Sequence, residues 1–382
     1  MSDKKTNKTK VVAPSSQAKT TVQNMIHVCL NTPGMGGMMG LPLVVWGPPG
    51  VAKSSIIEQV CLANKLPVEK MILAIREPTD VTGWPVIRDE DISFRPPSEV
   101  KNLIKHGKGV LFLDELSCAA PSVQHAAMRI VLERVVGDVP LPGDIRVIAA
   151  ANPASDVSGY ELVAPLANRF VHITWNGPSA SDWADFVCSG KDFWTPPEEV
   201  VDWLTAYSSA LGLVVGFVGP HGPRPDALLV GRKGESETSF PTPRSWEMAA
   251  RLTAGCTMFN TDRFQLLAGC IGEGMAREFE SYNRYADLPQ PGLLLKGEEN
   301  FTHDPKRLDR SLAMLTAVST YILNYKENDL KVLADEAWRV MSTIQEIDLI
   351  VPPARRLVRN KLFGGKHSAQ VMTKLSPYLS SK

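Results

Sequence analysis

The segment that most restricts this chain is an unbroken apolar run, Leu43-Val44-Val45-Trp46, that stops at Gly47 and passes through a Gly/Pro-rich loop into a helical pattern over Ser54 to Leu62. Four large apolar residues without polar alternation are the signature of a parallel strand covered on both faces. Further apolar runs, Met71 to Ile75, Val110 to Leu113, Ile145 to Ala150 and Val171 to Trp175, alternate with helical stretches such as Val123 to Leu132. Strands alternating with helices predict an α/β fold, an αβα core with a parallel sheet. Past Trp175 the strand signals fade. Glu198 to Leu211, Arg244 to Cys256, Arg310 to Tyr325 and Leu330 to Ile344 read as helices of a mainly helical second half.

Composition narrows the function classes. The 382 residues carry 41 Lys+Arg against 41 Asp+Glu, and 44% are hydrophobic, enough for a sizeable core and far from a disordered or fibrous chain. A zero charge balance weighs against nucleic acid and anionic membrane as partners. No stretch approaches the roughly 20 apolar residues of a membrane span. The basic, polar start Met1 to Lys10 lacks the apolar run of a secretory leader. Six scattered cysteines (Cys29, Cys61, Cys118, Cys188, Cys256, Cys270) without C-x-x-C spacing point to reduced thiols and a cytoplasmic setting. The seven histidines form no H-E-x-x-H pair, and no G-x-S-x-G elbow supplies a nucleophilic serine. Trp183, Trp194, Trp203 and Trp246 read as core rather than as base-stacking platforms.

The loop itself is Gly47-Pro48-Pro49-Gly50-Val51-Ala52-Lys53-Ser54, followed by Ser55. Between a buried strand and a helix, such a loop aims backbone N–H groups at an anion. Lys53 adds a mobile cation for the β- and γ-phosphates, and the Ser54 hydroxyl can ligate magnesium. Ala52 stands where the pattern G-x-x-x-x-G-K-S/T has its second glycine, so this position is expected to keep an ordinary backbone conformation. Further along, Gly109-Val110-Leu111-Phe112-Leu113-Asp114-Glu115 is an apolar strand that delivers two acids at its C-terminal end, where open parallel sheets bind ligands. Asp114 can hold magnesium, and Glu115 can orient and deprotonate a water. Together the two segments point to nucleoside triphosphate binding and hydrolysis.

With these motifs the sequence resembles the AAA+ ATPases, and within them the MoxR group, over roughly Val22 to Leu252 with a lid beyond. Ile148-Ala149-Ala150-Ala151-Asn152-Pro153 is similar to the family's sensor 1, with Asn152 placed to touch the γ-phosphate or the water. Pro165-Leu166-Ala167-Asn168-Arg169-Phe170 is similar to the arginine-finger segment, with Asn168 where the family usually has Asp. Pro241-Thr242-Pro243-Arg244-Ser245-Trp246 resembles the start of the sensor 2 helix, which implies that Arg244 meets phosphate, in its own subunit or another. Glu77 to Pro97 and Arg134 to Gly143 resemble the pore-facing hairpins of this clade, where Trp84, Ile87 and Phe94 would grip a polypeptide.

The resemblance implies ATP and Mg2+ as cofactors, a homo-oligomeric ring, commonly a hexamer, and hydrolysis coupled to lid motion that remodels a protein client. A protein carrying a von Willebrand factor A domain is the implied partner. The expected division is a tail over 1–17, an AAA+ core over 18–180, a helical and loop connection over 181–239, a helical lid over 240–350 and an extension over 351–382. Two alternatives remain open at this point, a DNA-associated AAA+ motor and a non-catalytic nucleotide-gated scaffold.

Overall fold

The computed structural model describes residues 21–88, 91–153, 159–179, 194–228 and 239–379. The expected tail over 1–17, Trp183, Cys188 and residues 229–238 lie outside these residues. In chain order the first part contains α1 (Val22–Asn31), β1 (Leu43–Trp46), α2 (Lys53–Ala63), β2 (Val68–Ile72), α3 (Pro78–Thr82), β3 (Trp84–Arg88), β4 (Asp91–Arg95) and α4 (Ser98–His106). It continues through β5 (Lys108–Asp114), α5 (Pro121–Glu133), β6 (Val135–Val136), β7 (Val139–Pro140), β8 (Asp144–Ala151), α6 (Ala164–Ala167) and β9 (Val171–Thr174). Beyond it follow α7 (Trp203–Val218), α8 (Pro243–Met258), α9 (Phe264–Ile271), α10 (Glu273–Ala286), α11 (Pro291–Leu295), α12 (Leu308–Asn324), α13 (Leu330–Ser342), α14 (Ile347–Arg359) and α15 (Lys366–Leu379).

The five long strands pair in the order β2-β5-β8-β1-β9, all parallel. The sequence of β1 explains its place. Leu43, Val44 and Val45 are wholly buried because β1 lies inside the sheet, with Leu43 opposite both Ile148 of β8 and Val171 of β9. Val45, Phe112 and Ile148 face the core shared with α1 and α2, whereas Val44, Leu111 and Ala149 face the core shared with Val123 and Ile130 of α5.

Two elements differ from the sequence-based expectation. The second strand spans Val68–Ile72, not Met71 to Ile75, because Leu73–Ile75 coils into a 3-10 turn. Its polar residues Glu69 and Lys70 are tolerated since β2 is a sheet edge. The helix expected over Glu198 to Leu211 begins only at Trp203, where the Asp202 side chain accepts the Thr205 N–H at 3.0 Å and caps the first turn.

The helical part is fastened to the sheet at its open edge. His172 presents its backbone to the outside of β9, and α9 lies against it so closely that a Cβ at Gly269 would come within 1.7 Å of the His172 carbonyl oxygen. A glycine here is what lets a helix cover an edge strand that would otherwise invite foreign pairing. On the α1 side, Gly255 of α8 packs against the Thr32 hydroxyl, which itself donates to the Val28 carbonyl at 2.6 Å. One apolar cluster therefore runs from Val45 and Ile57 through Ile26 to Trp246, Leu267 and Phe279. A second helical core gathers Leu315, Trp338, Leu349, Val371 and Leu375, which brings α15 onto α13.

The two insertions fold as antiparallel hairpins, β3–β4 and β6–β7. They are tied together: the Phe94 N–H donates to the Asp138 carboxylate at 2.6 Å, Asp138 N–H to the Phe94 carbonyl at 3.2 Å, and Gly137 N–H to the Thr82 carbonyl at 2.7 Å. Trp84, Ile87, Ile92 and Phe94 are left exposed on this unit. Among the described residues no helix is long and apolar enough to cross a membrane.

Replacing Gly269 by Ala forces a methyl group into the β9 backbone and is expected to cost at least about 2 kcal/mol in chemical denaturation. Gly274→Ala, in open space on α10, should instead be neutral or stabilise by up to about 0.5 kcal/mol.

Candidate nucleotide site

The loop after β1 is shaped by its neighbours before any ligand is considered. A Cβ at Gly47 would fall 2.1 Å from the Trp175 carbonyl oxygen, so the chain at the end of β9 sits directly against the loop. Trp175 secures it twice, its backbone N–H donating to the Trp46 carbonyl and its indole N–H to the Val51 carbonyl, both at 2.7 Å. Below the loop, Trp46 stacks on His172 with its indole N–H donating to Nδ1 at 2.9 Å. The other ring nitrogen, Nε2, lies 2.9 Å from the Ala167 carbonyl and must carry the proton. Burial pushes this imidazole down to about 4, so it remains neutral.

Ala52 corrects the expectation made for it. It caps α2 in the left-handed conformation, φ 66° and ψ 32°, not in an ordinary one. The helix must start immediately after the loop has turned back on itself, and the Ala52 carbonyl already accepts the Ile56 N–H at 3.0 Å. The turn is kept and the alanine bears its cost, of the order of 1 kcal/mol.

Four of the predicted side chains are brought together at the C-terminal ends of β1, β5 and β8. The Lys53 ammonium donates to the Gly47 and Pro48 carbonyls, each at 2.7 Å, and to Asn152 Oδ1 at 2.6 Å. The Ser54 hydroxyl donates to Asp114 Oδ2 at 2.9 Å. Asn152 leaves the end of β8, and its backbone N–H is held by the Ser117 hydroxyl at 2.9 Å. Glu115 follows Asp114 in the left-handed conformation, φ 56°, which turns it away from the strand direction. Pro48, Pro49, Gly50 and Val51 form the loop, and Ser55 lies exposed on the first turn of α2.

These residues fit a triphosphate and its divalent ion. Among the described residues Lys53 donates to two loop carbonyls and an amide, weak acceptors that an anion can displace. Ser54 and Asp114 offer adjacent hard oxygens of the kind magnesium prefers.

The two remaining candidates lie elsewhere. Arg169 lies two residues before β9, whose first residue pairs with the first residue of β1, whereas the loop follows the last. Arg169 is thus at the N-terminal end of the strands, opposite the end that carries Lys53. Its guanidinium donates to the Pro165 carbonyl and to Met128 Sδ, the latter at 3.7 Å. Arg244, exposed at the start of α8, is its electrostatic neighbour: burial first, and then the Arg244 charge, lower the Arg169 pKa. The bond from the Thr242 hydroxyl to Asn168 Oδ1, 3.2 Å, joins the two segments.

Sequence reasoning missed Lys70, whose ammonium lies 2.9 Å from Asp114 Oδ2, and the supports Ser117, His172 and Trp175. Lys70 is in register with Phe112 on the neighbouring strand. A register between distant segments leaves no mark in either one alone.

Comparison with known proteins agrees with this geometry. Residues 42–170 match the AAA domain of the dynein-related subfamily, a span running from the residue before β1 to the residue before β9. Over this segment, about a third of the chain, the sequence is that of an AAA domain. No curated protein matches it. Among solved structures, a candidate ATPase from Cytophaga hutchinsonii is similar at 16% identity over 70% of this chain and 89% of that one, with a TM-score of 0.42, too low to carry an argument.

Substituting Ala52 by Gly should relieve the left-handed turn and raise stability by about 1 kcal/mol, read from denaturant midpoints, with nucleotide binding retained. Burial also holds His27 down to about 4. The unfolded chain takes up these protons near pH 6.5 while the folded one resists until about 4. Stability is therefore full above about pH 6.5 and falls as the pH drops towards 4, by up to about 3 kcal/mol per histidine. His172→Gln should flatten that slope in urea titrations between pH 7 and 4.5.

Proposed function

We propose that this protein is a magnesium-dependent ATPase of the MoxR type, working as a homo-oligomeric ring in which each site is completed by the neighbouring subunit. The observation that carries the reading is the convergence of Lys53, Ser54, Asp114 and Asn152 from two strand ends and one helix start. Ser54 and Asp114 would hold Mg2+, which when bound supplies positive charge to the β- and γ-phosphates. Backbone N–H groups of the 47–52 loop and the Lys53 ammonium bind and orient the phosphates. Lys53 is freed for that purpose when its bonds to Gly47 and Pro48 break. Asn152 Oδ1, now paired with Lys53, becomes available to position the attacking water. Glu115 accepts its proton.

Arg169 and Arg244 act in trans. Both belong to the end of the sheet away from their own loop, their segments joined by the Thr242–Asn168 bond, where a phosphate of an adjoining subunit would meet them. Hydrolysis then drives rearrangement between subunits, and the joined hairpins with exposed Trp84, Ile87 and Phe94 engage a polypeptide client by apolar contact. A partner with a von Willebrand factor A domain belongs to this reading through the MoxR resemblance.

Glu115→Gln should keep ATP affinity while turnover falls by about 10²–10⁴-fold. Lys53→Ala and Arg169→Ala rings should each be inactive alone, yet a 1:1 mixture should regain about a quarter of wild-type turnover, because half of the intact sites meet an intact finger. Arg244→Ala in place of Arg169→Ala should complement equally. Failure of both mixtures to recover would place the arginines in cis and overturn the trans assignment. Absence of wild-type ATP turnover would overturn the ATPase.

A further inference from the structure

The Asp114 carboxylate is fully engaged. Oδ1 accepts the Glu115 N–H at 3.0 Å, while Oδ2 receives both the Ser54 hydroxyl and the Lys70 ammonium at 2.9 Å. Lys70 belongs to none of the nucleotide motifs. It rises from β2 opposite Phe112, passes its ammonium over that ring at 5.3 Å, and ends two residues further along β5 at Asp114. A second carboxylate stands within reach of the same ammonium: Glu58, one helical turn after Ser54 on α2, at 3.6 Å. The two acids differ in setting, since the Glu58 side chain is 50% exposed and that of Asp114 only 12%. Lys70 thus bridges an outer and an inner carboxylate. Burial works against its charge, but the bonds and charges of Asp114 and Glu58 outweigh this and raise its pKa, so the ammonium is retained.

A lysine cation and a divalent cation seeking the same carboxylate oxygen repel each other strongly in a half-buried site. Resting on the nucleotide-site reading above, we propose that Lys70 is a positioning residue that holds Asp114 in the absence of the divalent ion and transfers its ammonium to Glu58 when the ion is bound. The arrangement keeps a nearly buried carboxylate paired and aimed at Ser54 at all times. It also makes ion uptake work against an internal competitor, so that affinity for the ion is set by how readily Glu58 accepts Lys70. Charge alone would give each of the two residues an independent effect on the ion. The transfer couples them, because Glu58 matters only while Lys70 needs a second seat.

The test uses the full chain saturated with a non-hydrolysable ATP analogue and Mn2+ as the probe, free Mn2+ being counted by electron paramagnetic resonance. Lys70→Met should tighten Mn2+ binding by about tenfold, through loss of the competing charge. Glu58→Gln should weaken it by about threefold, because Lys70 then stays on Asp114. In the Lys70→Met/Glu58→Gln double variant the Glu58 substitution should have no further effect. Unchanged or weaker binding in Lys70→Met, or a Glu58→Gln effect that persists in full in the double variant, overturns the transfer. Should Lys70→Met fail to fold, Glu58→Gln at its half-exposed position still decides, since unaltered Mn2+ affinity there overturns the proposal. Wild-type protein that binds no Mn2+ with the analogue would overturn the nucleotide-site reading and this inference with it, whereas normal wild-type binding with an additive cycle removes only the inference.

Discussion

The bond between the Ser54 hydroxyl and Asp114 is the contact on which the candidate site depends, because it joins the start of α2 to the end of β5 across sixty residues of sequence. It requires β5 to run parallel to β1 with only β8 between them, so that both strands end on the same side of the sheet. That order in turn requires two covered faces, supplied by α1 and α2 on one side and α5 on the other. Asn152 joins from the intervening strand, which places the amide between loop and acid without further adjustment. A phosphate site of this type is thus a property of strand order first and of side chains second.

Two residues at the site, Ala52 and Glu115, occupy the left-handed backbone region that side chains disfavour. They belong to different elements of the candidate site, one where a helix starts and one where a strand stops. In each case the chain must change direction within one residue. The cost of order 1 kcal/mol per residue is sustained by surrounding bonds, from the Trp175 indole N–H to the loop and from the Glu115 N–H to Asp114 Oδ1. For Glu115 the strained conformation falls on an exposed residue at the strand end, and glycine there would remove the carboxylate along with the strain. At Ala52 nothing in the structure requires the methyl group.

What was legible in the sequence follows from this division. The strand Leu43–Trp46 is found at the bounds its apolar run marks, and α2 begins one residue before its expected start. Buried strands and phosphate loops are local patterns, so local reading suffices. The Ala52 conformation was misread because the rule that Cβ avoids positive φ describes average cost, and a tertiary demand overrode it. The start of α7 moved because a cap at Asp202 outweighed the helical spacing before it. Lys70 and the Arg169–Arg244 neighbourhood could not be read at all, since both depend on which segments the fold sets side by side.

The two arginines also show how an unfavourable contact can carry information. Like charges held together cost free energy, and Arg169 is further penalised by burial, with its Nε lacking a hydrogen-bond partner among the described residues. A fold has easy remedies for such a clash, of which an acid at position 168 would be the simplest. Instead Asn168 is neutral and is engaged with Thr242, which fixes the segment bearing Arg244 beside it. The arrangement leaves two cations as neighbours, a repulsion that an anion near both guanidinium groups would offset. That end of the sheet is remote from Lys53 in the same chain, so an anion held by Lys53 is not one that could offset the repulsion.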